Sequence, residues 1–199
     1  MRVLITGATG YLGTAMLEQV PAGIDVIPTG FTRGQVPLDV TDALAVRNAI
    51  HQHRPDTVVH LAAVSMTGAA ADDPERAGAV NVAGARVIAD VTGNSGIRLV
   101  ALSSDVIFDG GHPPYDENAL PNPINPYGSS KLMTEWMLRD LAKAGGPSYV
   151  ALRYFNVAGC EPTGTIGQST PKATLLVKVA AEAVVGRRPG VKIFGTDYD

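Results

Sequence analysis

A short apolar run near the start of the chain, Arg2–Thr6 (RVLIT), stops at a glycine and opens into GATGYLG, Gly7–Gly13, before the helical pattern TAMLEQV. Few local structures place glycines three apart between an apolar strand and a helix. A tight strand-to-helix turn does so, and its glycines also let a pyrophosphate approach the backbone and the helix pack closely on the sheet. The helix N-terminus then offers free N–H groups and the positive end of its dipole to the phosphates. The spacing differs from the commoner G-x-G-x-x-G, so a purely structural turn stays open as the alternative.

The rest of the chain repeats this alternation. IDVIPT (24–29), VPLDV (36–40), TVVHLAAV (57–64), IRLVALSS (97–104), SYVALRYF (148–155) and VKIFG (191–195) are apolar and β-branched, as buried strands are. Helical patterns separate them: ALAVRNAIHQH behind a capping Asp42, a run from about Pro74 to Thr92, YGSSKLMTEWMLRDLAKAG after Pro126, and KATLLVKVAAEAVVG. In the third of these, Leu132, Met133, Trp136 and Met137 form the expected apolar stripe, and Gly145-Gly146 end the helix. Asn81 falls mid-helix, an unfavourable place unless its amide has a partner. The alternation predicts an α/β fold, a doubly wound parallel sheet of Rossmann type.

Composition narrows the partners. A chain of 199 residues with 45% hydrophobic content can bury a real core. With a net charge of -3 and thinly spread Lys and Arg, nothing draws the surface to nucleic acid or to a membrane. Small molecules are the expected partners. The N-terminal apolar run is too short for a signal peptide or a span, and the single cysteine, Cys160, suits a reducing compartment, so the expected location is cytoplasmic. No Cys/His/carboxylate cluster has metal-ligand spacing, and no metal is implied.

The chemistry points to Ser103–Lys131. The strand IRLVALSS delivers Ser104 to the carboxyl end of the sheet, where ligands bind in open α/β folds. If the segment after Pro126 is helical, Tyr127 and Lys131 share one face, and the ammonium is expected to favour the phenolate. Tyr127 is then a candidate general base. The loop Asp109–Asn125 between them is long for a connection, which favours a functional loop. Ala62 and Ala63 are small enough to let a cofactor lie over a strand end, though core packing explains them almost as well. After the second strand, GFTRG has no carboxylate; Arg33 leans toward NADP or toward weak discrimination, with a solvated loop charge as the equal alternative.

GATGYLG, DVTD (Asp39–Asp42), HLAA (His60–Ala63), Asn81, SSD (Ser103–Asp105) and YGSSK (Tyr127–Lys131), in this order along the whole chain, resemble the extended short-chain dehydrogenase/reductase superfamily of NAD-dependent epimerases and dehydratases. The resemblance implies NAD or NADP, held by Gly7, Gly10, Tyr11, Leu12, Gly13, Arg33, Asp39, Val40, Leu61, Ala62, Ala63, Asn81, Tyr127, Lys131 and Phe155. It also implies a catalytic set of Ser104, Tyr127 and Lys131, with Ser104 and Asn156 on a nucleotide-sugar substrate.

From about Pro123 onward, NPINPYGSSKLMTEWML, LRYFNVAG and IFGTDYD look similar to bacterial UDP-glucose 4-epimerases. Up to about Glu117, GFTRGQVPLDVTD and SSDVIFDGGHPPYDE look more like dTDP-4-dehydrorhamnose reductases and related NADP-binding regulatory subunits. The switch is abrupt, which favours a recombined or engineered chimera joined between about residues 117 and 125, a divergent enzyme being the alternative. An epimerase is favoured by Asn156, a reductase and a non-catalytic NAD(P)-binding module being the alternatives. Residues 1–155 are expected to form the NAD(P)-binding domain and 156–199 the start of a smaller substrate lobe. That lobe is expected to be largely missing, with apolar surface exposed, and a homodimer is the candidate assembly.

Overall fold

The computed structural model describes residues 1–31, 36–111, 113–169 and 174–195. They fall into two compact units, Met1–Phe155 and Asn156–Asp199. The strands are β1 (Arg2–Thr6), β2 (Asp25–Gly30), β3 (Val36–Pro37), β4 (Thr57–His60), β5 (Arg98–Leu102) and β6 (Tyr149–Leu152). The α-helices are α1 (Tyr11–Glu18), α2 (Ala43–His53), α3 (Thr67–Asp72), α4 (Pro74–Gly78), α5 (Ala85–Asn94), α6 (Pro126–Lys143) and α7 (Leu176–Val184).

In the first unit all six strands form one sheet in the order β3-β2-β1-β4-β5-β6, and every neighbouring pair is parallel. This is the Rossmann-like doubly wound order. Its direction reverses between β1 and β4, where Thr6 pairs with His60. In such sheets a crevice opens outside the carboxyl ends of the strands at the reversal.

The apolar runs are explained by cover on both faces. Leu4, Val58 and Leu99 point to one side, against Val46 and Ile50 of α2, Ile88 of α5 and Leu138 of α6. Val3 and Ile5 point to the other, against Ala8 and, on α1, Met16 and Leu17. Full burial of such side chains stabilises the fold by roughly 1.5–3 kcal/mol each before entropy is counted. The helix starts follow their sequence signals. Asp42 accepts from the Leu44 and Ala45 amides at 2.9 and 3.0 Å, and Asn125 accepts from the Gly128 amide at 2.8 Å with Pro126 in the first turn.

Three expectations need correction. The single helix from Pro74 to Thr92 is α4, a π-helical turn (Ala79–Gly84) and then α5. The wide turn is held by Asn81, whose side chain bonds outside its own helix. On α6 the buried face is Tyr127, Ser130, Lys131, Thr134 and Leu138, with Leu132, while Met133 and Trp136 of the expected apolar stripe are exposed. Hydrogen bonding to neighbours makes the polar side the buried one. VKIFG forms no strand: none of its residues joins a ladder, and an unpaired strand has no partner for its backbone groups.

The second unit contains α7, in which Glu182 pairs with Lys178 and Arg188. Among its described residues no hydrophobic side chain is buried, and Leu176, Val184 and Phe194 are exposed. Among the described residues no helix is long and apolar enough to cross a membrane.

Candidate functional site

The loop after β1 is pressed against the loop after β4. Gly7 has φ +68, a left-handed conformation, and a Cβ on it would lie 2.7 Å from the Ala62 nitrogen. Any side chain there would push the two strand ends apart. The Ala8 amide ties the loop to the end of β2 through the Thr29 carbonyl at 2.9 Å. Gly13 is buried, and its Cβ would meet the Ala8 backbone at 2.5 Å, so α1 starts in close contact with the loop that feeds it. Gly10, Tyr11 and Leu12 are exposed at that helix start, whose first turn carries no acidic side chain. A narrow, uncharged cradle under a helix N-terminus fits a pyrophosphate.

Beyond β4, Leu61, Ala62 and Ala63 are half-buried. The Ala62 amide donates to Thr6 Oγ1 at 3.3 Å, and Thr6 Oγ1 lies 2.7 Å from His60 Nδ1. His60 is buried, and desolvation, with Lys131 adding repulsion, lowers its pKa to about 3. The ring is therefore neutral, and it shares a proton with Thr6 across the point where the sheet reverses. Asp39 folds back on its own turn, accepting from the Thr41 amide and hydroxyl at 2.9 and 2.7 Å. Val40 packs against Gly84, where a Cβ would come within 2.9 Å of its Cγ2. Arg33 lies outside the described residues.

Ser104, Tyr127 and Lys131 come together, at 4%, 4% and 8% exposure. Ser104 Oγ donates to Asp105 Oδ1 at 3.0 Å and caps a 3₁₀ turn, Asp105–Ile107. Lys131 Nζ donates to the Leu102 carbonyl at 2.8 Å and stands 5.8 Å from the centroid of the Tyr127 ring. Gly128 brings the start of α6 onto the 3₁₀ turn: a Cβ there would sit 2.1 Å from the Val106 carbonyl oxygen.

Electrostatics correct one expectation. Burial pushes the Tyr127 phenol well above its ordinary value; Tyr154 and Asp105 add to the rise, and hydrogen bonding with Ser104 opposes it. Burial also lowers Lys131 to about 8. Sequence spacing suggested that the i,i+4 ammonium would favour the phenolate; desolvation is the largest effect on the phenol and acts the other way.

Asn81 supplies a second layer. Its Oδ1 accepts from the Val64 amide at 2.8 Å, and its Nδ2 donates to the Val64 carbonyl at 3.1 Å and to Ser130 Oγ at 2.9 Å. Ser130 Oγ in turn donates to the Tyr127 carbonyl at 2.7 Å, and Thr134 Oγ1 to the Asn81 carbonyl at 2.8 Å. Asn81 thus braces α6 and the loop after β4. Sequence reasoning gave no role to Asp105 and Ser130, although both lie in its motifs, and did not single out Thr134 or Tyr154; the i+3 spacing of Ser130 from Tyr127 was the available signal. Phe155 is exposed at the end of the first unit, and Asn156 is exposed at the start of the second. Among the described residues no group of His, Cys, Asp and Glu side chains could hold a metal.

A model of the NAD dependent epimerase/dehydratase family matches residues 3–197. The chain belongs to this family. Among family relatives, the UDP-glucose 4-epimerase of Azospirillum brasilense is 42% identical over 212 aligned residues, which take in 100% of this chain and 61% of that protein. The UDP-glucose 4-epimerase of Rhizobium meliloti is 32% identical, over 99% of this chain and 64% of its own. The chain therefore spans a little over three fifths of these relatives' length. Among solved structures, UDP-glucose 4-epimerase from Brucella ovis in complex with NAD superposes with a TM-score of 0.86 at 29% identity, covering 100% of this chain and 65% of that one. The dTDP-4-dehydrorhamnose reductase of Bacillus anthracis in complex with NADP gives 0.70 at 33% identity, covering 77% and 53%.

Proposed function

We propose that this chain carries the cofactor-binding and catalytic residues of a nucleotide-sugar 4-epimerase, acting on UDP-glucose and UDP-galactose in the cytoplasm. The observation that carries this reading is that Ser104, Tyr127 and Lys131 meet at the carboxyl end of a sheet whose glycine cradle fits a pyrophosphate. The 42% identity to an epimerase over the whole chain supports the epimerase over the reductase, whose structure matches only 77% of it. In this reading residues 1–155 bind NAD or NADP and 156–199 belong to the substrate lobe, with Asn156 on the sugar nucleotide.

Gly7, Gly10, Tyr11, Leu12 and Gly13 would hold the pyrophosphate, Asp39 and Val40 the adenosine end, and Leu61, Ala62, Ala63, Asn81 and Phe155 the path toward the nicotinamide. Bound NAD(P) supplies a reversible hydride acceptor for the sugar carbon. Tyr127 takes the proton from the sugar 4-hydroxyl and returns it, which requires that the buried phenol be helped to ionise. Lys131 is the group that can help: with a pKa of about 8 it is charged at pH 7. It is held close to the ring by the Leu102 carbonyl. Ser104, its proton directed to Asp105, orients the reacting oxygen.

Incubation with UDP-galactose, without added reductant, should yield UDP-glucose. Tyr127→Phe should lower that turnover by about 10²–10⁴-fold. Wild-type turnover in Tyr127→Phe would sink the catalytic reading. Steady NADPH consumption with a 4-keto sugar nucleotide, and no interconversion, would replace the epimerase by a reductase.

A further inference from the structure

Ser104 and Tyr127 are joined by Asp109–Asn125, which contains no helix or strand among its described residues. The loop is nevertheless tied to itself. Asp109 Oδ1 accepts from the Gly111 amide and the Tyr115 hydroxyl at 2.8 and 2.9 Å, and Oδ2 from Asn122 Nδ2 at 2.8 Å. The Asn122 amide donates to the Ile107 carbonyl at 2.9 Å. Tyr115 stacks on Phe108 with centroids 4.3 Å apart and planes 6° from parallel.

An arginine adds a further tie between this loop and the rest of the unit. Arg153, just past β6, sets its guanidinium 5.5 Å from the Phe108 centroid. Its Nε and Nη2 fork onto the Glu135 carboxylate at 2.7–3.1 Å, and Nη1 donates to the Glu117 carbonyl at 3.3 Å. The pair is largely shielded, at 24% and 12% side-chain exposure. Glu135 lies one turn beyond Lys131 on α6, and Phe108 closes the 3₁₀ turn that Ser104 caps. The edge strand, the catalytic helix, the turn and the loop therefore converge on one planar cation.

We propose that Arg153, through its fork on Glu135 and its stack on Phe108, is a positioning residue that sets Ser104 against Tyr127. This rests on Tyr127 being the proton carrier. Arg153 touches neither residue, so it acts on the angle between α6 and the 3₁₀ turn. A guanidinium meets a carboxylate, a ring face and a carbonyl at fixed mutual angles, and an ammonium does not. Misplacement of a reacting pair by about 1 Å lowers turnover on the order of a hundredfold.

The test compares Arg153→Lys and Glu135→Gln with wild type in steady-state kinetics and in amide hydrogen exchange. Both variants should lose kcat on the order of a hundredfold with KM changed by less than about twofold. Exchange at Asn122 and Gly128 should quicken by about tenfold or more, with Leu61, just past β4 and bonded to the Thr6 carbonyl, unchanged. Wild-type kcat in both variants would overturn the proposal. So would equal acceleration at Leu61 and Asn122, which marks general loosening. If Tyr127→Phe keeps full turnover, the catalytic reading fails by itself, and the exchange pattern still reports whether Arg153 holds the loop.

Discussion

Lys131 Nζ donates to the Leu102 carbonyl across 2.8 Å, so the helix bearing Tyr127 is tethered to the strand that delivers Ser104. The tether satisfies one proton of an ammonium that is otherwise removed from water, and burial lowers its pKa to about 8. The same group thus links the site's geometry to pH.

Stability should rise with pH above about 8. Between the folded value of about 8 and the ordinary 10.5, the unfolded chain binds a proton at Lys131 that the folded chain does not. The full effect is on the order of 3 kcal/mol. Above pH 10, Tyr127 works the other way, because its folded pKa is raised and the unfolded phenol ionises first. Urea titrations of wild type and Lys131→Met across this range should show the rise only in wild type.

His60 should govern part of the acid limb. Its pKa falls from 6.5 to about 3 on folding, so its contribution is complete above 6.5 and lost as pH drops toward 3. His60→Asn keeps an acceptor for Thr6 without titrating. The variant should lose less stability than wild type between those limits, and parallel curves would show that His60 does not titrate with unfolding.

Asn81→Leu removes the partners of the Val64 amide and carbonyl and of Ser130. A buried donor or acceptor left unmatched costs about 1–3 kcal/mol, so a loss of roughly 2–5 kcal/mol in the unfolding free energy from urea titration is expected. Ser130→Ala, which leaves the Val64 bonds in place, should cost less than half as much.

Gly128→Ala places a carbon 2.1 Å from the Val106 carbonyl oxygen, a position backbone must vacate. A drop of about 2 kcal/mol or more, with turnover reduced, is expected. In α3, Gly68→Ala meets nothing within 4 Å and should be neutral or slightly stabilising, by up to about 1 kcal/mol. Equal thermal midpoints for the two variants would contradict the close approach of α6 to the 3₁₀ turn.

The sheet was legible because both of its faces are covered: Leu4, Val58 and Leu99 sit in unbroken apolar runs that only a buried strand needs. The glycine turn and the Tyr127–Lys131 spacing were legible for a similar local reason. The buried side of α6 was not, because Ser130, Lys131 and Thr134 are polar and their burial depends on Asn81 and Leu102, 49 residues and 29 residues away along the chain. Periodicity picked Met133 and Trp136 instead. The Tyr127 phenol was misjudged for the same cause: helix spacing reveals a neighbouring charge but not how much water the fold removes. Arg153 carried no local signal at all, since its partners come from three separate segments.

The π-helical turn at Ala79–Gly84 has a consequence for how this chain tolerates length changes. A π turn is an α-helix carrying one surplus residue, and each residue advances the helix by about 100°. Deleting a single residue there would restore ordinary winding and swing either Asn81 away from Ser130 or the Ile88 stripe out of the core. Single-residue deletions between 79 and 84 should therefore be rejected in a library screen, while deletions at the exposed 95–96 turn survive.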